Sequence, residues 1–550
     1  MSDSVNAAFG GLLHMFYHAW FRFHPEQASS VGLDEFSGLL RTYDDDDIGA
    51  LISLGQKMIS ALDEIDIDEL DECHRIDYQI IKAAVSVELH DLQEADWRYR
   101  NPLDYVPVHA IYQLLIHPVK DVQGAIKHRL QKIPEHLRGA RLYLSELPEQ
   151  VVPVWLDAAR EQCEIGAKFI RNLGRHPLVL DKFTNPARLQ PLLDDASHAL
   201  DEFAHYLDVE ISNKARGDFS VGHDRFNRLL NEMHFLDVDV QAMLAFGEKF
   251  LEETREQLKA QAAAMGEDAD VATVLKTVTA EHPRPEQLLD AYRKRMRDAS
   301  GWLHQHQLIS LPEKESLHIQ ETPAFLKPLI PFAAYEPPLP HDKKQRGLYY
   351  ITISDDDALL HEHNQYSIDL TCVHESYPGH HLQFVTANHV QADNMTRTIH
   401  ASASLFEGWA LYCEDLMEEH GFLDKPEHRF MMLRDRLWRA LRVIIDVKIH
   451  TGELSFDDAV QLMVDELGFD QQQAHGELAW YSGAPTIPLC YATGYALIKA
   501  LREHQESKPG FDLKAFHDKL LGRGSIALPL VIKEAFGDEA WDYARGKVFS

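Results

Sequence analysis

The chain has 550 residues, 45% of them hydrophobic and 26% charged, the make-up of a folded globular protein. Against 54 basic residues stand 87 acidic ones, a formal charge of −33 that repels nucleic acid and anionic membrane surfaces. No basic stripe interleaved with aromatics excepts it from that rule, and no run of about 18 apolar residues is present to span a membrane.

The N-terminal stretch MSDSVNAAFGGLLHMFYHAW lacks a basic n-region and a small-residue cleavage site, and His14 and His18 interrupt its apolar run as in an amphipathic helix. The five cysteines (Cys73, Cys163, Cys372, Cys413, Cys490) are odd in number, widely spread and without CxxC, which predicts reduced thiols in a cytoplasmic protein. Cys372 reads as a small buried thiol. Asp44–Asp47 is a charged turn or helix start. Through the first 300 residues helix follows helix. VPVWLDAAREQCEIGAKFIRNL (152–173) repeats apolar residues at three- and four-residue spacing, and IPEHLRGARLYLSEL is expected to start a helix with Pro134 in its first turn. Residues 309–348 are too rich in proline for one long helix. Directly after them GLYYITI (347–353) is the best strand candidate in the chain, and helical patterns then resume to the C-terminus. The expected organisation is two halves of one interlocked body, 1–300 and 301–550, with a small sheet just ahead of the motif described next.

That motif is TCVHESYPGHHLQ (371–383). His374 and Glu375 begin it as HExxH would, but the position of the second histidine is Pro378, and His380 and His381 come later. A zinc hydrolase needs three N or O ligands, an open position for water and a carboxylate base. On an ideal helix i+7 lies about 20° from i, which favours His381, whereas i+6 lies about 120° away. Pro378-Gly379 can supply a bulge that brings His380 round instead. Geometry leaves both histidines open. With 32 histidines in the chain the pair weighs little by itself, and His361-Glu362 is a second His-Glu dipeptide nearby.

SLFEGWALYCEDL (404–416) adds weight, because it puts Glu407 on a predicted helix at the distance where a third ligand is wanted. Glu414 follows at i+7, where it can orient a ligand. The apolar neighbours Phe406, Trp409, Ala410, Leu411 and Tyr412 make an unpartnered carboxylate costly there. In RALRVIIDVKIH (439–450), Arg442, Asp446 and His450 share one helix stripe. Arg442 is a candidate for holding a substrate carboxylate and His450 for stabilising an oxyanion. In YSGAPTIPLCYATGY (481–495), Tyr491 and Tyr495 are candidate phenol donors at a helix start. No GxSxG elbow, P-loop or GxGxxG competes, and GRGSIA (522–527) lies in a helical region with no preceding strand.

Together these motifs resemble those of the bacterial family known as domain of unknown function 885, which looks like a distant relative of the helical zinc peptidases: angiotensin-converting enzyme, oligopeptidases and thermostable carboxypeptidases. HExxPGHxxQ matches from His374 through Gln383, EGWAxYxE from Glu407 to Glu414, and an RxxRxxxDxxxH-like stretch ends at His450. HPEQASSVGLDEFSGLL near the start and FHDKLLGRGSIALPLV near the end also look like family segments. One departure is Ile487, where the family often has Gln before the tyrosine. The resemblance implies a mainly α body with a deep cleft and a small β-sheet next to the active-site helix. It implies a Zn2+ ion held by His374, His380 and Glu407, the first histidine after Pro-Gly being the recurrent one. It further implies Glu375 as general base in peptide hydrolysis. A helical cleft would restrict the substrates to short or unfolded peptides, and the GLYYITI strand is a candidate to bind an extended one by edge pairing. A metal-free peptide-binding protein of the same shape, or a metal hydrolase of another amide or ester, are the competing expectations.

Overall fold

The structure, a computed structural model, describes residues 2–266, 270–324, 326, 327, 330, 332–354 and 357–550. It is mainly helical, as expected, with one three-stranded sheet among the described residues. Packing divides the chain into two compact units, Met1–Phe219 and Ser220–Ser550. The division falls at 219/220 and not near 300. The reason is that the helices between 240 and 306 bury their apolar faces against the motif-bearing helices that follow them.

Unit 1 is a set of amphipathic helices. Pro153–Asn172 is one of them, close to the predicted span, and its buried stripe (Leu156, Ala159, Cys163, Ala167, Ile170) packs on the helix Gln190–Tyr206. Asp44 caps the helix Asp45–Asp63 by accepting a hydrogen bond from the Asp47 amide at 2.8 Å, which resolves the acidic run as a helix start. Pro134 does not open a helix; it sits inside Val122–Glu146. An internal proline forfeits a backbone bond and costs about 3 kcal/mol. Burial of Ile126, Leu130, Ile133, Leu137 and Leu144 on one face outweighs that cost.

Unit 2 carries the motifs. Its helices include α1 (Val240–Ala264), α2 (Leu288–His306), α3 (Gln365–Glu375), α4 (His380–Gln391), α5 (Ala403–Glu419), α6 (Pro426–His450), α7 (Gln471–Ser482) and α8 (Cys490–Glu506). α1 lies along α6, α5 along α8, and α3 is packed by α2, α5 and α6. Strands β1 (Ser316–Glu321), β2 (Ala333–Glu336) and β3 (Arg346–Ile351) are ordered β1-β3-β2, with β1 parallel and β2 antiparallel to β3. Tyr349 and Ile351 of β3 share a core with Leu288 and Tyr292 of α2 and with Ile368 and Cys372 of α3, so the sheet stands against the motif helix. Cys372 is the buried thiol expected. GLYYITI is therefore the central strand, hydrogen-bonded on both sides, and cannot receive a substrate by edge pairing.

Candidate metal centre

The chain does not bulge at Pro378-Gly379; it ends one helix and begins another. α3 closes with the Ser376 amide donating to the Cys372 carbonyl (3.0 Å), and the Gly379 amide returns to the Val373 carbonyl (3.0 Å). α4 starts at His380, its first turn closed by the Gln383 amide donating to the Gly379 carbonyl (3.1 Å). A Cβ on residue 379 would lie 1.8 Å from the His374 carbonyl oxygen, so only glycine fits this reversal. The Trp409 indole N–H donates to the Pro378 carbonyl at 2.8 Å and ties the turn to α5. His374 thus ends one helix and His380 begins the next, their rings 4.9 Å apart and nearly perpendicular.

Glu407 of α5 completes the group. One ligand atom from each of His374, His380 and Glu407 lies within 4.8 Å of the others. Glu407 Oε2 stands 3.3 Å from His380 Nε2 and 3.6 Å from His374 Nε2, yet it is buried and has no hydrogen bond of its own. A buried carboxylate oxygen facing two imidazole nitrogens is the donor set of a zinc site, and these residues fit that ion. His374 Nδ1 donates to Glu414 Oε1 at 2.9 Å, which fixes the ring so that Nε2 faces the group. Burial works against charge on His374, but Glu407, Glu414 and Glu375 outweigh it and raise its pKa to about 10. Burial likewise opposes charge on Glu407, yet His380 and His374 hold its carboxyl well below the usual range. Glu375, partly exposed beside the two histidines, is shifted up by burial.

His381 points the other way. It is fully buried, with Nε2 2.8 Å from Glu315 Oε2 and Nδ1 3.0 Å from the Tyr335 hydroxyl. The Tyr335 ring of β2 lies parallel to the His380 ring, with centroids 6.2 Å apart. His381 therefore fastens the sheet to α4 while His380 faces the cluster.

α5 and α8 cross backbone to backbone at Gly408 and Gly494; a Cβ on residue 494 would lie 2.1 Å from the Ser404 carbonyl oxygen. That approach sets Tyr491, one turn before Gly494, beside Glu407, and burial together with the Glu407 charge holds its phenol well above the usual range. Tyr495, predicted with it, is elsewhere: its hydroxyl donates to Asp415, inside a buried cluster with Arg436 and Lys499. His450 is also diverted, Nε2 lying 3.0 Å from the Tyr481 carbonyl oxygen. Asp446 accepts from the amides of Thr486 and Leu489, both at 3.2 Å, and so holds the loop that leads into α8. Thr486 sits in the left-handed region (φ 67°), uncommon for a β-branched residue. Arg442 commits its Nε to Tyr481 (2.8 Å) and its Nη2 to Glu477 (3.1 Å), with its guanidinium 4.5 Å from the Tyr491 ring centroid. Tyr335 and Glu315 escaped the sequence reading because they lie in the irregular stretch before β3, where no periodicity marks a residue.

The fold and the cluster define a mainly α protein with a buried two-histidine, one-carboxylate centre built across three helices. The chain belongs to the family described as bacterial protein of unknown function (DUF885), whose model matches residues 25–534. Nothing among curated proteins matches it. Among solved structures it is similar to a "putative lipoprotein of unknown function" from Shewanella oneidensis (20% identity, TM-score 0.76, covering 95% of this chain and 98% of that one). It is also similar to a "putative lipoprotein" from Colwellia psychrerythraea (15% identity, TM-score 0.79, 98% and 99% covered). The M32 carboxypeptidase of Deinococcus radiodurans R1 shows a weak likeness over 97% of this chain and 99% of its own (11% identity, TM-score 0.41), too low to bear on activity.

The lipoprotein descriptions overturn the cytoplasmic expectation. The physical flaw lay in the cysteines. Four of the five are buried, and a buried thiol is inert in any redox compartment. No helix among the described residues is long and apolar enough to cross a membrane.

Proposed function

We propose that this protein is a zinc-dependent peptidase acting on short or unfolded peptides. The observation that carries the reading is the convergence of His374, His380 and Glu407 within 4.8 Å, with Glu375 next to them in sequence and space. Held by His374, His380 and Glu407, zinc would supply Lewis acidity to a water and to a peptide carbonyl. Glu375, whose pKa is raised by burial, takes a proton from the attacking water and hands it to the leaving amine. Glu414 keeps His374 in the tautomer that presents Nε2. Tyr491, whose phenol is held protonated by burial beside Glu407, is a hydrogen-bond donor at the rim of the group. Because β3 is central, the edges left to an extended substrate are β1 and β2, and β2 is the one that carries Tyr335 over His380.

Purified protein should contain about one zinc per chain, and Glu375→Gln should keep that zinc while losing hydrolysis of a short-peptide mixture followed by mass spectrometry. A protein that takes up no zinc even when it is added, or a Glu375→Gln variant as active as the parent, ends this reading.

A further inference from the structure

The sequence offered Arg442 as the holder of a substrate carboxylate, but in the fold Arg442 already has Glu477 and Tyr481 as partners. One turn earlier on α6 stands Arg439, on the same face at i and i+3. The two guanidinium carbons lie 4.4 and 4.3 Å from the centroid of the Trp438 ring. Arg439 has little to balance it. Its ion-pair contact is to Asp435, at 3.9 Å, and it also donates to the Asp435 carbonyl at 3.3 Å. Asp435 is shared with Arg434 at 3.4 Å. The Nε of Arg439 and the Nη1 of Arg442 are buried without an acceptor among the described residues. A guanidinium only 14% exposed is costly when so weakly paired. The same helix reaches toward the metal centre: the Arg442 guanidinium lies against Tyr491, which stands one turn before the point where α8 crosses α5 at Gly408, the neighbour of Glu407. α6 also packs on α3, the helix that ends in Glu375.

Resting on the peptidase reading, the geometry points to Arg439, backed by the free Nη1 of Arg442, as the receptor for the C-terminal carboxylate of the peptide substrate. The protein then acts from the C-terminus. α6 packs on α3, the helix that ends in Glu375, so the carboxylate is held on the C-terminal side of the bond cleaved. Products are short pieces released from the C-terminal end, not internal fragments.

Three probes test this: an N-acetylated tripeptide with a free C-terminal carboxylate, its C-terminal amide, and an amide whose last side chain bears a carboxylate. In zinc-loaded Glu375→Gln protein, calorimetry should show the free acid binding about tenfold or more tighter than either amide, the range of a charge-assisted pair. Adding Arg439→Gln should collapse that preference, and Arg439→Lys should restore part of it. With the parent enzyme, kcat/KM should favour the free acid by a similar factor. Equal binding of acid and amide, or a preference that survives Arg439→Gln, overturns the proposal. The side-chain acid binding as tightly as the terminal acid overturns the terminal assignment. If instead the parent holds no zinc and cleaves none of the three probes, the peptidase reading itself fails, and the proposal falls with its premise.

Discussion

Replacing Gly494 by alanine tests how the site is assembled without reference to any metal. A Cβ at 494 would lie 2.1 Å from the Ser404 carbonyl oxygen and 2.8 Å from the Gly408 Cα. Both are backbone atoms of α5, so no side chain can rotate away, and α5 and α8 must separate by about 1 Å to reach an ordinary contact. Overpacking of that kind costs about 1–3 kcal/mol. With an unfolding entropy of about 2.1 cal/mol/K per residue over the roughly 330 residues of unit 2, a 3 kcal/mol loss lowers Tm by about 4 °C. Gly476 is the control. It is exposed within α7, nothing lies within 4 Å of its added Cβ, and alanine there should gain about 0.8–1.0 kcal/mol from helix propensity, raising Tm by about 1 °C. The same chemical change therefore has opposite signs at two positions, readable by calorimetry. Gly494→Ala as stable as the parent would show that the helices are not held in backbone contact, and the placement of Tyr491 against Glu407 would lose its cause.

Glu414→Gln should weaken zinc binding about 10–100-fold by loosening His374, measured by competition with a chelator; an unchanged affinity would remove its orienting role. His380→Ala should abolish stoichiometric zinc, whereas His381→Ala should keep it and instead cost about 1–3 kcal/mol by stranding Glu315 and Tyr335; metal analysis and urea unfolding showing the reverse pattern would exchange the two assignments. Asp446→Ala leaves the buried amides of Thr486 and Leu489 without their acceptor, so the urea midpoint should fall by the equivalent of about 1–3 kcal/mol. An unmoved midpoint would mean that the loop before α8 holds itself.

The parts of the site legible in the sequence are those written in local spacing. His374, Glu375, Glu407 and Glu414 fall within two short helical segments, and helix geometry relates residues within a segment. The choice between His380 and His381 was not legible in that way. An ideal helix prefers His381, and the structure defeats that preference by not continuing the helix at all. The competing partner of His381 comes from Glu315, 66 residues away, which no local pattern announces. Tyr495 and His450 were drawn in because they share helix stripes with Tyr491 and Arg442. A stripe specifies a direction, not a partner, and Asp415 and the Tyr481 carbonyl claimed them. The GLYYITI strand was recognised from its composition, but strand order depends on β1 and β2, which lie in a proline-rich stretch without alternation. The boundary near 300 followed a change in composition, whereas the physical boundary follows where buried faces meet.

The break between α3 and α4 means that the two histidines are not mounted on one rod. α3 is anchored through Asp369, which pairs with Arg295 of α2 at 2.8 Å and His428 of α6 at 2.9 Å. α4 is anchored separately, through Gln383 to Ser525 at 2.7 Å and Asn388 to Gln345 at 2.9 Å. Glu407 rides on a third support. A single-helix HExxH site inherits its ligand spacing from the helical repeat. Here the spacing is a tertiary quantity, set by three footings. An ion held by all three acts as a cross-link between them, and changes far from the ligands, at any one footing, can retune the separation of the donors without altering a residue of the motif.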